Sequence, residues 1–193
     1  MERDGTQMIE DGVAFILQGL ASLYGLNSQD ENFKDTPARV ARAYAEIFGG
    51  LRDTDMQVEK ILSATFPGEC KEMIIARGIR VYSMCPHHLL PVEYTVNLAY
   101  IPAGRVLGVS KLARLSSILA KRPVLQETLT EDIANKLFLG IQSGGSAVFV
   151  EGTHYCMKMR GAYQQESKII TSALRGVFLQ PEVRAEFLSL VGR

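Results

Sequence analysis

Tryptophan is missing from this 193-residue chain, and cysteine and histidine are each present only three times. Three cysteines, Cys70, Cys85 and Cys156, make an odd number that suits neither a disulfide framework nor a small secreted scaffold. Each thiol therefore reads as a ligand, a nucleophile or filler. An excess of either charge is also lacking: Lys plus Arg and Asp plus Glu both number 21. No overall field marks a binder of nucleic acid or of anionic membranes, so an anionic ligand has to meet a local basic cluster. Long apolar runs are absent as well. The stretch at residues 13–17 is too short for a signal core or a membrane span, and the start Met1-Glu2-Arg3-Asp4 carries both signs of charge, which points to the cytoplasm. There is no internal repeat and no low-complexity tract.

What is present is enough for a real core: 47% of the residues are hydrophobic, in a chain long enough for one compact domain with an appendage. Ile9, Val13, Leu17 and Leu20 recur at helical spacing, with Gly25 as a stop. Asp35-Thr36-Pro37 predicts a second helix, Asp35 supplying the capping side chain and Pro37 standing in the first turn, with Val40, Tyr44, Ile47 and Phe48 as its apolar face and Gly49-Gly50 at its end. These helices form an arm, assigned to residues 1–68.

From residue 69 the pattern predicts a second domain running to residue 193. Residues 73–76 and 80–84 read as extended, followed by Val96, Leu98 and Tyr100 alternating with Thr95, Asn97 and Ala99. Ser110 opens a helix through Leu112, Leu115, Ile118 and Leu119. Thr128 with Glu131 resembles a capping box ahead of Ile133, Leu137 and Ile141. Residues 146–160 read as one long strand, residues 161–166 as a turn, and residues 168–174 as the returning strand. Val183, Phe187, Leu190 and Val191 form a last helix. The order strand, strand, helix, helix, strand, strand predicts an α+β fold, an antiparallel ββααββ sheet with helices on one face. Its unprotected edges call for assembly with further copies.

The chemistry is concentrated in two short segments. Cys85-Pro86-His87-His88 puts a thiolate and an imidazole three positions apart at the end of a strand, where a turn can aim both at one ion. In Thr153-His154-Tyr155-Cys156, strand periodicity places His154, Cys156, Lys158 and Arg160 on one face and Tyr155, Met157 and Met159 on the other. All three histidines lie in these segments, beside two of the three cysteines. Cys85, His88 and Cys156 form the soft donor set that Zn²⁺ prefers, and three protein ligands leave a fourth position for water. On the residues alone, an unliganded Cys156 beside a packed histidine, or a Cys85–Cys156 disulfide, stays open. Adjacent His87 and His88 should project differently, one as ligand and the other as an acid/base or orienting group.

The segments Asp35-Thr36-Pro37-Ala38-Arg39, Ser83-Met84-Cys85-Pro86-His87-His88, Gly108-Val109-Ser110-Lys111-Leu112-Ala113-Arg114, Arg122-Pro123-Val124-Leu125-Gln126-Glu127 and His154-Tyr155-Cys156-Met157-Lys158-Met159-Arg160-Gly161 resemble, in order and spacing, GTP cyclohydrolase I. The resemblance runs from about Asp35 to the carboxyl end. It implies the tunnelling fold, a toroidal homodecamer built from pentameric rings with sites at subunit interfaces, and Zn²⁺ on Cys85, His88 and Cys156. It implies His87 and His154 near the reacting imidazole ring of GTP, and Gln126 and Glu127 as a pair contacting guanine. A carboxylate that accepts from guanine N1 and the 2-amino group would reject adenine. Lys111, Arg114, Arg160 and Arg39 resemble the family's triphosphate-binding residues, although a surface charge taken singly is more often only solvated; Ser110 is placed to cap the helix at Lys111 and to meet the ribose or phosphate, and the two roles stay open. The implied reaction is hydrolysis of GTP to 7,8-dihydroneopterin triphosphate and formate, the entry to pterin and folate-type synthesis. Pro86 stands where the family usually has Glu, Tyr94-Thr95 where it has Gly-Lys, and Thr128 where it has Arg. Two other readings are a paralogue acting on a modified purine nucleotide and a non-catalytic zinc- or nucleotide-binding subunit of an active partner.

Overall fold

A computed structural model describes residues 4–192 and divides at Gly49/Gly50 into two compact units. In the first, α1 (Gly5–Tyr24) begins where the Asp4 carboxylate accepts the Thr6 amide at 3.2 Å and is closed by Gly25. The second helix, α2 (Thr36–Ile47), has Pro37 in its first turn as expected, but Asp35 does not cap it through its side chain. With φ −100° and ψ 5°, the Asp35 backbone is not extended, the conformation in which a cap side chain folds over the first amides. Its carboxylate instead meets the Arg39 guanidinium at 3.2 Å, one turn along. Tyr44 and Phe48 pack edge to face at 5.0 Å.

The second unit begins earlier than the pattern predicts. A helix not anticipated from the sequence, α3 (Thr54–Leu62), buries Val58 and Leu62 in this unit's core. A short ribbon follows, β1 (Thr65–Pro67) pairing antiparallel with β4 (Arg105–Leu107). The main sheet contains β2 (Ile74–Met84), β3 (Pro91–Ile101), β5 (Gly145–His154) and β6 (Ile169–Gly176), in the order β2-β3-β5-β6 and antiparallel throughout. Between its halves run α4 (Val109–Ala120) and α5 (Gln126–Gly140). This is the ββααββ order of the tunnelling fold.

The alternation of β3 explains the layers. Val92, Tyr94, Val96, Leu98 and Tyr100 point to the helix side, where they join Leu112, Leu115 and Leu119 of α4 and Leu129, Ile133 and Leu137 of α5. Each such side chain contributes roughly 1.5–3 kcal/mol on burial, which makes the sheet and its two helices a firm platform. The opposite face is not bare: Ala99 and Ala147 pack under Phe178 and Phe187, the latter from α7 (Pro181–Val191). Helices therefore cover one face fully, and the carboxyl-terminal segment covers part of the other.

Four local expectations change. The extended stretches at 73–76 and 80–84 are one strand interrupted by a bulge, where Gly78 takes φ +68° and its amide donates to Asn97 Oδ1 at 2.9 Å. The capping box at Thr128 does not form, because α5 already starts at Gln126 and Thr128 lies in its first turn. Ser110 does not cap α4 either; Gly108 holds that position without a side-chain bond. Finally, β5 stops at His154. Val92 pairs with His154 at the start of β3, so the chain beyond has no ladder partner and closes one helical turn, α6 (Tyr155–Lys158). The predicted two-faced arrangement of residues 154–160 fails there.

Candidate metal centre and active site

The hairpin between β2 and β3 builds one half of the site. The Cys85 amide donates to Leu90 O at 2.8 Å, the Leu89 amide returns to Cys85 O at 2.8 Å, and Leu89 takes φ +49° to close the loop. The loop's bonds come from the amides of Cys85, His88 and Leu89, so the amide that Pro86 lacks is not one they use. This curl brings His88 Nδ1 within 3.7 Å of Cys85 Sγ. The helical turn after β5 brings in Cys156, and one donor atom from each of Cys85, His88 and Cys156 lies within 4.8 Å of the others.

Bond lengths of ~2.3 Å to sulfur and ~2.0 Å to nitrogen around a tetrahedral ion imply donor separations of about 3.5–3.8 Å. The 3.7 Å contact matches such an edge, and two sulfurs with one imidazole are the donors zinc favours, so the residues present fit the ion. Burial, with the adjacent Cys85 thiol adding to it, pushes the Cys156 thiol above its ordinary value. Two neighbouring thiolates are costly unless a cation lies between them.

Behind the ligands stands a second group. Gln126, only 2% exposed, directs its amide nitrogen at Ile169 O (2.9 Å), Thr171 Oγ1 (3.1 Å) and Val150 O (3.2 Å). These acceptors fix which end of the carboxamide is nitrogen. Its oxygen then accepts from His154 Nε2 at 2.8 Å, so His154 carries its hydrogen on Nε2 and keeps a lone pair on Nδ1. Thr130 Oγ1 donates to Gln126 O at 2.7 Å and lies 2.6 Å from Thr171 Oγ1. The bonds form a closed ring from the Gln126 amide through Thr171 and Thr130 back to the Gln126 carbonyl. Burial lowers the His154 pKa below 6.5, opposed by Glu127, so the imidazole is neutral near pH 7.

Gly152 makes this packing possible. A Cβ there would lie 2.2 Å from Gln126 Oε1 and 2.9 Å from Tyr94 Cε1. Tyr94 itself is fully buried, edge-on to His154 at 5.9 Å. Its hydroxyl has no hydrogen-bond partner, a deficit that typically costs ~1–3 kcal/mol.

The remaining sequence-predicted residues divide clearly. His87 is exposed, with Nδ1 4.0 Å from Cys85 Sγ and its ring edge-on to His88 at 6.3 Å. Arg160 reaches His88 Nε2 at 3.0 Å. Gln126 and Glu127 are not a pair facing one ligand: Gln126 turns inward to hold His154, whereas Glu127 is exposed in the first turn of α5. Ser110, Lys111 and Arg114 lie in the first half of α4, with no hydrogen bond or ion pair linking them to the Cys–His–Cys group. Arg114 lines an open cleft of about 360 Å³ with Lys60, Lys121 and Gln57, and no carboxylate lines it. Arg39 belongs to the first unit and pairs with Asp35. Cys70 is exposed and outside the ligand group.

Thr130 and Thr171 were not singled out from the sequence. Thr130 lies one turn after Gln126, and a polar residue on the buried stripe of α5 was the available signal. Thr171 comes from a strand 45 positions from Gln126, and nothing local marks it.

Comparison with known proteins agrees with this geometry. The sequence model of GTP cyclohydrolase I matches residues 12–192. A GTP cyclohydrolase 1 of Dehalococcoides mccartyi is 43% identical over 94% of this chain and 96% of its own length. Those of Thermoanaerobacter pseudethanolicus and Carboxydothermus hydrogenoformans are 44% and 43% identical, each over 96% of this chain and 96% and 94% of their own lengths. With such coverage, and with the two ligand-bearing segments folded onto one another, the chain belongs to the GTP cyclohydrolase I family.

Proposed function

We propose that the protein is a zinc-dependent hydrolase that opens the imidazole ring of GTP, releasing formate and yielding 7,8-dihydroneopterin triphosphate. The observation that carries this reading is the meeting of Cys85, His88 and Cys156 beside a histidine whose tautomer is fixed by a buried carboxamide. Zn²⁺ held by these three residues supplies Lewis acidity that makes water a nucleophile near neutral pH.

The chain's own groups supply the rest. His154, neutral with its lone pair on Nδ1, takes a proton from the attacking water and returns it to the ring nitrogen that leaves C8. A base that is unprotonated near neutral pH is what that first transfer requires. Glu127 accepts from guanine N1 and the 2-amino group, and its exposure at the start of α5 leaves it available to a ligand. A guanidinium only donates, so the Arg160 contact requires a lone pair on His88 Nε2 and the hydrogen on Nδ1. A cation held on Nδ1 would require the hydrogen on Nε2 and would leave Arg160 free for the triphosphate together with Ser110, Lys111 and Arg114, while His87 stands beside the reacting imidazole ring.

Assembly into a homodecamer is part of this proposal. Both outer strands, β2 and β6, have one unpaired edge in the main sheet, and Tyr82 and Ile170 beside those edges are 64% and 57% exposed. No helix among the described residues is long and apolar enough to cross a membrane. A cytoplasmic location is part of the proposal, because thiol ligands stay reduced there.

The test is incubation of the zinc-loaded protein with GTP, following formate and the fluorescent oxidised neopterin product. Wild type should release both, and Cys156→Ala neither. Formate at the wild-type rate from Cys156→Ala overturns the scheme. Turnover of a modified purine nucleotide but not GTP identifies a paralogue instead, and binding without turnover identifies a non-catalytic subunit.

A further inference from the structure

Tyr94 stands apart from every other buried polar side chain among the described residues: its hydroxyl is enclosed and has no partner. The fold is able to satisfy such a group. Tyr100, six residues along the same strand and on the same face, accepts the Leu107 amide at 2.9 Å. Tyr94 is not displaced from the site either, because its ring lies against His154 and in the same apolar cluster as Cys85, with Cys156 packed alongside.

The acceptors this part of the site offers are the sulfur of Cys85, buried in the same cluster as Tyr94, that of Cys156, packed against the cluster, and the Glu127 carboxylate. Glu127 is exposed, so its carboxylate is already served by water. The sulfurs are the acceptors on the dry side. A thiol is a weak acceptor, whereas a cysteine sulfur that holds a cation is a thiolate and accepts well. An unmade bond beside a pair of thiols is therefore one that metal loading can complete.

We propose that Tyr94 is a positioning residue of the metal centre, its hydroxyl donating a hydrogen bond to the Cys85 thiolate once a divalent cation is bound. This rests on the Cys85, His88 and Cys156 assignment made above. A donor on sulfur stabilises the thiolate over the thiol and so favours loading of the ion, while drawing density from the sulfur and leaving the ion a stronger Lewis acid. Burial keeps the phenol protonated far above its ordinary range, so the donor is available at any working pH.

The experiment uses the full chain loaded with cobalt(II), comparing wild type with Tyr94→Phe, which removes one oxygen and keeps the ring. Tyr94→Phe should bind cobalt about 10–100-fold more weakly in chelator competition. Its thiolate-to-cobalt charge-transfer band should move to lower energy. Its metal-free melting temperature should equal or exceed that of wild type, because the unpaired hydroxyl is gone. Tyr100→Phe, the control on the same face, should leave the band in place and lower the melting temperature.

Unchanged cobalt affinity and an unchanged band in Tyr94→Phe overturn the proposal. A raised KM for GTP with no spectral change also overturns it and assigns the hydroxyl to substrate. If wild type shows no thiolate-to-cobalt band at all, the ligand assignment itself has failed, a result distinct from failure of the Tyr94 role alone.

Discussion

Replacing Gln126 with Met tests whether this buried carboxamide governs His154. Methionine matches the length and most of the volume of glutamine, so the cavity contribution is small and the change removes mainly hydrogen bonds. Wild type directs two amide hydrogens at Ile169 O, Thr171 Oγ1 and Val150 O, and its carbonyl accepts one from His154. Three neutral bonds at ~1 kcal/mol each amount to about 3 kcal/mol of stability. For a chain of this size that corresponds to a fall of roughly 6–12 °C in melting temperature, at about 2–4 °C per kcal/mol. The catalytic effect should be larger. Without the Gln126 oxygen the His154 hydrogen is no longer held on Nε2, and loss of a positioned acid/base group typically costs ~10²–10⁴ in kcat. Zinc content should stay at the wild-type value, because Gln126 is not in the ligand group. Formate release, calorimetry and metal analysis on one preparation separate these effects. A variant with kcat within about threefold of wild type and unaltered zinc would refute the idea that this carboxamide sets the histidine. Gln126→Glu sharpens the test: the new carboxylate still accepts from His154 but favours imidazolium, so the acid limb of the pH profile should move upward.

Gly152→Ala should mimic Gln126→Met at one remove, since its Cβ would meet Gln126 Oε1 at 2.2 Å. A stability loss of ~1–3 kcal/mol with a fall in kcat is expected, and wild-type turnover counts against the packing described. Burial places the His154 pKa below 6.5, so unfolded metal-free chains bind a proton there that folded chains do not. This contribution to stability is intact above about pH 6.5 and is lost as pH falls through the lowered pKa. Urea midpoints measured from pH 7.5 to 5 should decline by a component that His154→Asn removes; an equal decline in that variant contradicts the assignment. Chelation should remove bound zinc and lower the melting temperature, and Cys85→Ala should give that metal-free value from the start. Elemental analysis showing wild-type zinc in Cys85→Ala refutes the ligand set.

The local chemistry of the site was legible in the sequence because its ligands stand in two short motifs. Cys85 and His88 are three positions apart, and Cys156 follows the end of a strand. The α+β order was legible too, since the period of apolar residues changes from helical to extended and back. The early start of the second unit was not, because α3 is short and only its packing partners reveal its role. The end of β5 at His154 was not either: residues 155–160 have ordinary strand propensity, and the absence of a ladder partner beyond Val92 lets 155–158 close a helical turn instead.

Sequence by itself determined the donor types, the helical and extended periods and the family. Tertiary structure alone decided that Gln126 faces His154 rather than a ligand, that Thr130 and Thr171 close its ring of bonds, and that the Tyr94 hydroxyl is left unpaired. The physical reason is range. Donor chemistry and backbone period are written within a few residues, whereas hydrogen-bond direction depends on which acceptors a buried amide meets, and here those come from strands 24 to 45 positions away.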